Sequence, residues 1–209
     1  MITTSMTRQR RFWKKAQVWA ALTGAIAVLT GCVAGPASQP TVGGPHLAVC
    51  AGTRVSNAPP TDERGRLRNF DPVVKFRGVW VLLTPTAGCL SSGYGKRPRS
   101  SVGSAGRLHK GIDLYTRTPA PFYAAADGKV SFIGKQRGYG RLIILQHANG
   151  VETRYAHLSS VRDGLRVGQS VQQGAALGKT GRTGNATAVH LHYEVLINGR
   201  QRNPLLLGQ

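Results

Sequence analysis

Acidic residues are scarce in this 209-residue chain, with eight Asp and Glu against 28 Lys and Arg, a formal net charge of +20. Such a surface attracts polyanions with salt-sensitive affinity. Aromatic residues are also few, at 7%, and they are not interleaved with the scattered arginines, so no nucleic-acid partner is expected. Long stretches of helix-forming Ala, Leu, Glu and Lys are missing beyond the N-terminal segment, whereas glycine is abundant at 27 residues. That balance disfavours a helical bundle and predicts an all-β fold with an antiparallel sheet core. The single long apolar run, Val18 to Gly31, is too short for a confident membrane span.

That run follows Arg8, Arg10, Arg11, Lys14 and Lys15, so residues 1–31 read as an export signal. It ends in Leu29-Thr30-Gly31-Cys32, which resembles the lipobox of bacterial lipoproteins. The resemblance implies a lipidated Cys32 and a membrane-tethered protein of the cell envelope. Val33 after the cysteine favours the periplasmic face of an outer membrane, with the outer face of the cytoplasmic membrane or secretion as alternatives. Five of the 28 basic residues lie in the signal, which leaves 23 against eight acids, or +15. Anionic lipid or carboxylate-rich wall polymers suit that surface in this compartment.

Residues 32–45, rich in small residues, Pro and Gly, read as a flexible linker after Cys32. Residues 46–87 form a lead-in that either stands as a small module or is a cover packed on the domain and over its site, and residues 88–205 hold the main domain. Cys50 and Cys89 are the cysteines left once Cys32 is set aside; in an oxidising compartment they can pair, the other outcome being two separate buried thiols. Strands are expected over parts of Val73 to Leu83, over Gly128 to Ile133 and over Val189 to Ile197. Between them, Arg141 to His147 and Val151 to His157 flank Asn149-Gly150, a strong hairpin signal because both residues tolerate positive φ. Arg97 to Arg107 is Gly- and Ser-rich and reads as a loop.

Histidine is the residue whose scarcity points somewhere. Only six occur, and four of them fall with one aspartate in three short motifs: His109-Lys-Gly-Ile-Asp113, Tyr155-Ala-His157 and His190-Leu-His192-Tyr-Glu194. Strand alternation puts His190, His192 and Glu194 on one face and Leu191, Tyr193 and Val195 on the other. The same alternation puts His109, Gly111 and Asp113 on one face if that stretch is extended, with Gly111 leaving room between the two side chains. Glu194 then either supports the site or is a solvent-facing charge. Zinc accepts imidazole nitrogen and carboxylate oxygen, and a catalytic site keeps three protein ligands with a fourth position for water. Five such groups supply three ligands and two further imidazoles able to trade protons near pH 7. His46 and His147 match no motif and are taken as structural, as is Asp127.

These motifs, with Gly181-Arg-Thr-Gly-Asn185 and Ala126-Asp-Gly-Lys-Val130, resemble the lysostaphin and LytM-type zinc endopeptidases that cleave peptidoglycan peptides. The resemblance covers about residues 88–205 and implies a duplicated-hybrid-motif-like β fold. It implies one zinc ion on His109, Asp113 and His192, with His157 and His190 as a non-ligand catalytic pair. The implied substrate is peptidoglycan cross-links. Some relatives lack ligands and only activate amidases, so a non-enzymatic envelope factor is the alternative; this chain keeps all five positions.

Overall fold

The structure is a computed structural model that describes residues 46–53, 55, 57–97 and 108–209. The export signal, Cys32 and the linker lie outside the described residues, as does most of the predicted loop up to Arg107. The described chain is nearly all β, and its only helical turns are short 3-10 segments at Ala148–Gly150 and Pro204–Leu206. In chain order the first strands are β1 (Val73–Phe76), β2 (Val79–Leu82), β3 (Cys89–Ser92), β4 (Gly95–Lys96), β5 (Leu108–His109), β6 (Ile112–Tyr115) and β7 (Pro121–Tyr123). They are followed by β8 (Gly128–Gln136), β9 (Gly140–Gln146), β10 (Val151–Ala156), β11 (Ser160–Val161), β12 (Ser170–Val171), β13 (Ala176–Lys179), β14 (His190–Ile197) and β15 (Arg200–Arg202).

Eight strands make the main sheet, in the order β12-β8-β9-β10-β14-β6-β3 with β15 beside β14. The named strand pairs are all antiparallel, as composition predicts. Alternation along β14 is as read from the sequence: Leu191, Tyr193 and Val195 enter the core, where Tyr193 stands opposite Tyr155 and Ile112. Phe122, Tyr155 and Tyr193 form a tilted aromatic run with ring centroids 5.4 and 5.6 Å apart. This is the offset geometry such rings prefer.

The β9–β10 hairpin forms at the expected place. Asn149 (φ 57°, ψ 30°) and Gly150 (φ 74°) take the left-handed conformations that make Asn-Gly a hairpin signal. Gln146 then lies opposite Glu152, which fixes which faces of β9 and β10 meet the core.

Residues 47–50 run beside β3, bonded through Leu90 N to Ala48 O and Cys50 N to Leu90 O. Cys50 and Cys89 are joined in a disulfide there, which resolves the open pairing. Leu47, Leu67, Val81, Leu82 and Leu83 from residues 46–87 enter the same apolar cluster as the main sheet. The Tyr193 hydroxyl reaches across to donate to Leu82 O.

Candidate metal and hydrolytic site

Two central strands carry the site. β14 pairs with β6 so that His192 lies directly opposite Asp113, a register that points both side chains to the same face. His109 does not share a continuous strand with Asp113, contrary to the simple extended reading. The chain bends at Lys110-Gly111 between β5 and β6. A Cβ at Gly111 would run into the Tyr193 carbonyl and Glu194 Cγ, so this glycine makes room for β14 rather than for the two side chains beside it.

The bend brings three atoms to one point. His109 Nε2 lies 3.0 Å from Asp113 Oδ1 and 3.0 Å from His192 Nδ1, and His192 Nδ1 lies 2.8 Å from Asp113 Oδ1. A tetrahedral zinc with bonds of about 2.0–2.1 Å needs donor separations of roughly 3.3 Å. The triangle therefore accepts the ion with an adjustment of a few tenths of an ångström, and its chemistry, two imidazoles and a carboxylate, is zinc chemistry. His109 and His192 are buried.

The second nitrogen of each ring is committed. His109 Nδ1–H donates to Gly93 O at 2.6 Å, leaving Nε2 bare toward the triangle. His192 Nε2–H donates to Glu194 Oε1 at 3.0 Å, leaving Nδ1 to point inward. Such outer partners fix tautomer and ring orientation. Glu194 is 0% exposed, so the solvent-facing reading of it is wrong. It lies across from Arg154 in the β10–β14 register, and its Oε1 also accepts from the Tyr139 hydroxyl at 2.8 Å.

Charge follows from this arrangement. Burial alone would raise Asp113, but hydrogen bonds and charge from His109 and His192 hold it well below the usual carboxylate range. Burial works against a proton on His192, yet Asp113 and Glu194 outweigh it and raise the ring to about 9. Glu194 is lowered because the His192, Tyr139 and Arg154 contacts overcome its burial. Burial, followed by Glu194, pushes Tyr139 up to about 12, so its hydroxyl stays a donor.

His157 and His190 stand beside the triangle, their ring centroids 4.8 Å apart. His157 Nδ1–H donates to Thr183 O at 2.7 Å and His190 Nδ1–H to Ala188 O at 2.9 Å, which leaves Nε2 as the other nitrogen of each ring. His190 Nε2 is 3.6 Å from Asp113 Oδ1. Burial, then His190 and His192, pushes His157 down to about 4. His157 itself holds a left-handed backbone (φ 63°), a costly conformation for a residue with a side chain.

All five residues singled out from the sequence thus lie together. Sequence reasoning missed Tyr139, Thr183 and Arg97, whose Nη2 lies 3.1 Å from Asp113 Oδ2. Tyr139 had a signal, an aromatic residue between Gly138 and Gly140 at a hairpin; Arg97, one of many arginines, had none.

Comparison with known proteins bears on the same residues. The model of Peptidase family M23 matches residues 107–204. The chain is 42% identical over 150 residues to the DD-carboxypeptidase/endopeptidase Mpg of Neisseria meningitidis serogroup B, an alignment covering 69% of this chain and 31% of that protein. It is thus similar to only about a third of that relative's length. A zinc containing peptidase from Vibrio cholerae has a similar structure (TM-score 0.52, 28% identity, 65% of this chain and 39% of that one). The catalytic domain of the prophage-encoded M23 protein EnpA from Enterococcus faecalis aligns at 31% identity and TM-score 0.50, over 57% of this chain and 91% of that domain. With an antiparallel β fold in common and the matched segment holding all five residues, the chain belongs to peptidase family M23.

Proposed function

We propose that the protein is a membrane-tethered zinc metalloendopeptidase that hydrolyses peptide cross-links of peptidoglycan. The observation that carries this reading is the convergence of three donor atoms within 3.0 Å of one another beside two imidazoles whose Nδ1 atoms are held by backbone carbonyls. His109, Asp113 and His192 hold the ion, and His157 and His190 move protons. When bound, zinc acts as a Lewis acid that polarises a carbonyl and lowers the pKa of a neighbouring water toward about 7. The neutral His157 ring takes a proton at Nε2 while its Nδ1–H stays on Thr183 O; His190, held the same way by Ala188 O, supplies a second Nε2 for the developing charge or the leaving amine. Glu194 and the Gly93 carbonyl keep the ligand rings from turning.

A D,D bond is the proposed target, supported by relatives named peptidoglycan DD-endopeptidases, such as ShyC of Vibrio cholerae at 35% identity over 115 residues. The tether is Cys32 and the address is the cell envelope, supported by the lipobox and by the +15 balance past the signal. The domain division proposed is signal 1–31, linker 32–45, lead-in 46–87 and enzyme 88–205.

The test is mass analysis of muropeptides after purified sacculi are treated with the full chain in detergent. Cross-linked dimers are expected to become monomers. His109→Ala, Asp113→Ala and His192→Ala should abolish both zinc retention and cleavage, while His157→Ala and His190→Ala keep zinc and lose about 10²–10⁴-fold in rate. Zinc-loaded protein that leaves dimers intact overturns the reading in favour of a wall-binding factor or amidase activator. Release of free stem peptides would make the target a different amide.

A further inference from the structure

We infer that Arg97 is a positioning residue that holds Asp113 to one-oxygen ligation and so keeps the ion's remaining positions open. The inference rests on Asp113 being a metal ligand, as proposed above. Arg97 Nη2 lies 3.1 Å from Asp113 Oδ2 and 2.9 Å from Ser92 Oγ, with its side chain 11% exposed and that of Asp113 13%. The two carboxylate oxygens therefore have different partners. Oδ1 meets His109 and His192 at 3.0 and 2.8 Å, while Oδ2 accepts a charge-assisted hydrogen bond. A carboxylate free at both oxygens can swing to chelate a metal; one whose outer oxygen is held by a guanidinium loses that freedom.

The local backbone is built to deliver this contact. β3 pairs with β6 through an irregularity between Leu90 and Ser92, which puts Ser92 opposite Asp113. Such bulges re-aim a side chain. Ser92 Oγ accepts from Arg97 and sits 3.2 Å from His109 Nδ1, so one hydroxyl touches the outer layer of both ligands. Arg97 follows directly on β4, which pairs with β5, the strand that carries His109. Asn57 fastens β4 from the lead-in, donating from Nδ2 to Tyr94 O at 3.1 Å and Lys96 O at 3.0 Å. The guanidinium and the first ligand are thus carried on one small sheet, and the arginine's own charge adds to the positive field that the reaction uses.

The test uses the full chain in detergent, metal-stripped and titrated with zinc against a chelator, then with Co²⁺ as a spectroscopic probe. Arg97→Gln is expected to dim the visible Co²⁺ band, the mark of a site moving from four ligands toward five, and to shift zinc affinity by about tenfold or more. Arg97→Lys, which keeps the charge, should recover part of both. A merely structural role would lower the metal-free melting temperature and leave the Co²⁺ band of the surviving folded protein unchanged. An Arg97→Gln protein with wild-type affinity and an unchanged band overturns the inference while the metal reading stands. Wild-type protein that binds neither ion overturns the metal reading itself, and Arg97 loses this role with it.

Discussion

His147 shows how one side chain outside the site sets a pH limit on the fold. Its Nδ1–H donates to Asp127 O at 2.8 Å and its bare Nε2 lies 2.7 Å from Thr153 Oγ1. Thr153 is 2.9 Å from the Tyr155 hydroxyl, which accepts the Ala125 N–H at 2.8 Å. Burial drives the ring's pKa below its ordinary value, against the smaller opposing pull of Asp127 and Glu152. Above about pH 6.5 neither folded nor unfolded protein carries this proton, and the ring's contribution is intact. As pH falls further the unfolded chain takes up a proton that the folded chain refuses, so stability is lost until the folded pKa is passed. Urea midpoints at about pH 7.5 and about pH 5 should fall farther apart in wild type than in His147→Gln. Equal spacing in the two proteins would dispose of the argument. The sequence marked His147 as structural, and the network bears this out. Glu194 was harder to read, because parity gives the face on which a strand residue lies and not what stands across from it. Its neighbours Arg154 and Tyr139 come from register and from a hairpin tip that no local pattern encodes.

At the scale of elements, the β8–β9 hairpin and the turn before β14 lock together beneath His157. Thr183 Oγ1 accepts from Arg141 N and donates to Leu158 O, Asn185 N donates to Gly138 O, and His157 N donates to Tyr139 O. Gly140 has φ +66°, and a Cβ there would strike the Thr183 and Gly184 backbone. Gly140→Ala should therefore displace the carbonyl that orients His157. The expected result is a rate loss of about 10²-fold, of the size that a misplacement near 1 Å produces, with zinc affinity kept because no donor to the triangle moves. Wild-type turnover, or loss of rate and zinc together, would contradict it. The individual strands and the Asn149-Gly150 hairpin were legible from alternation and turn chemistry. The bend at Lys110-Gly111 was not, since its cause is the approach of β14 from some 80 residues away, and a glycine alone does not announce its neighbour.

For the whole molecule, Cys50–Cys89 closes a loop with a sequence separation of 39, fastening the lead-in to the edge of the main sheet. Chain-entropy reasoning gives such a link about 4 kcal/mol. Cys50→Ser combined with Cys89→Ser should lose stability on that order in urea, and reductant should do the same to wild type; a change below about 1 kcal/mol in both would show that the link is idle. The disulfide was readable only as two cysteines left over in a chain read as exported, because nothing local says that residues 47–50 run beside β3. The all-β class, by contrast, followed from composition, since what the chain lacks is distributed over its whole length.

The strand order holds one more consequence. β14 lies between β6 and β10, both of which precede it in the chain, so the sheet has a vacant central lane until residues 190–197 arrive. His192 travels on that lane while Asp113 waits on β6 and His109 on β5. A copy halted before β14 would offer a histidine and a carboxylate with no third donor, and would hold an ion poorly. Metal retention would therefore record the arrival of β14: a chain that keeps an ion in the proposed triangle has already placed that strand.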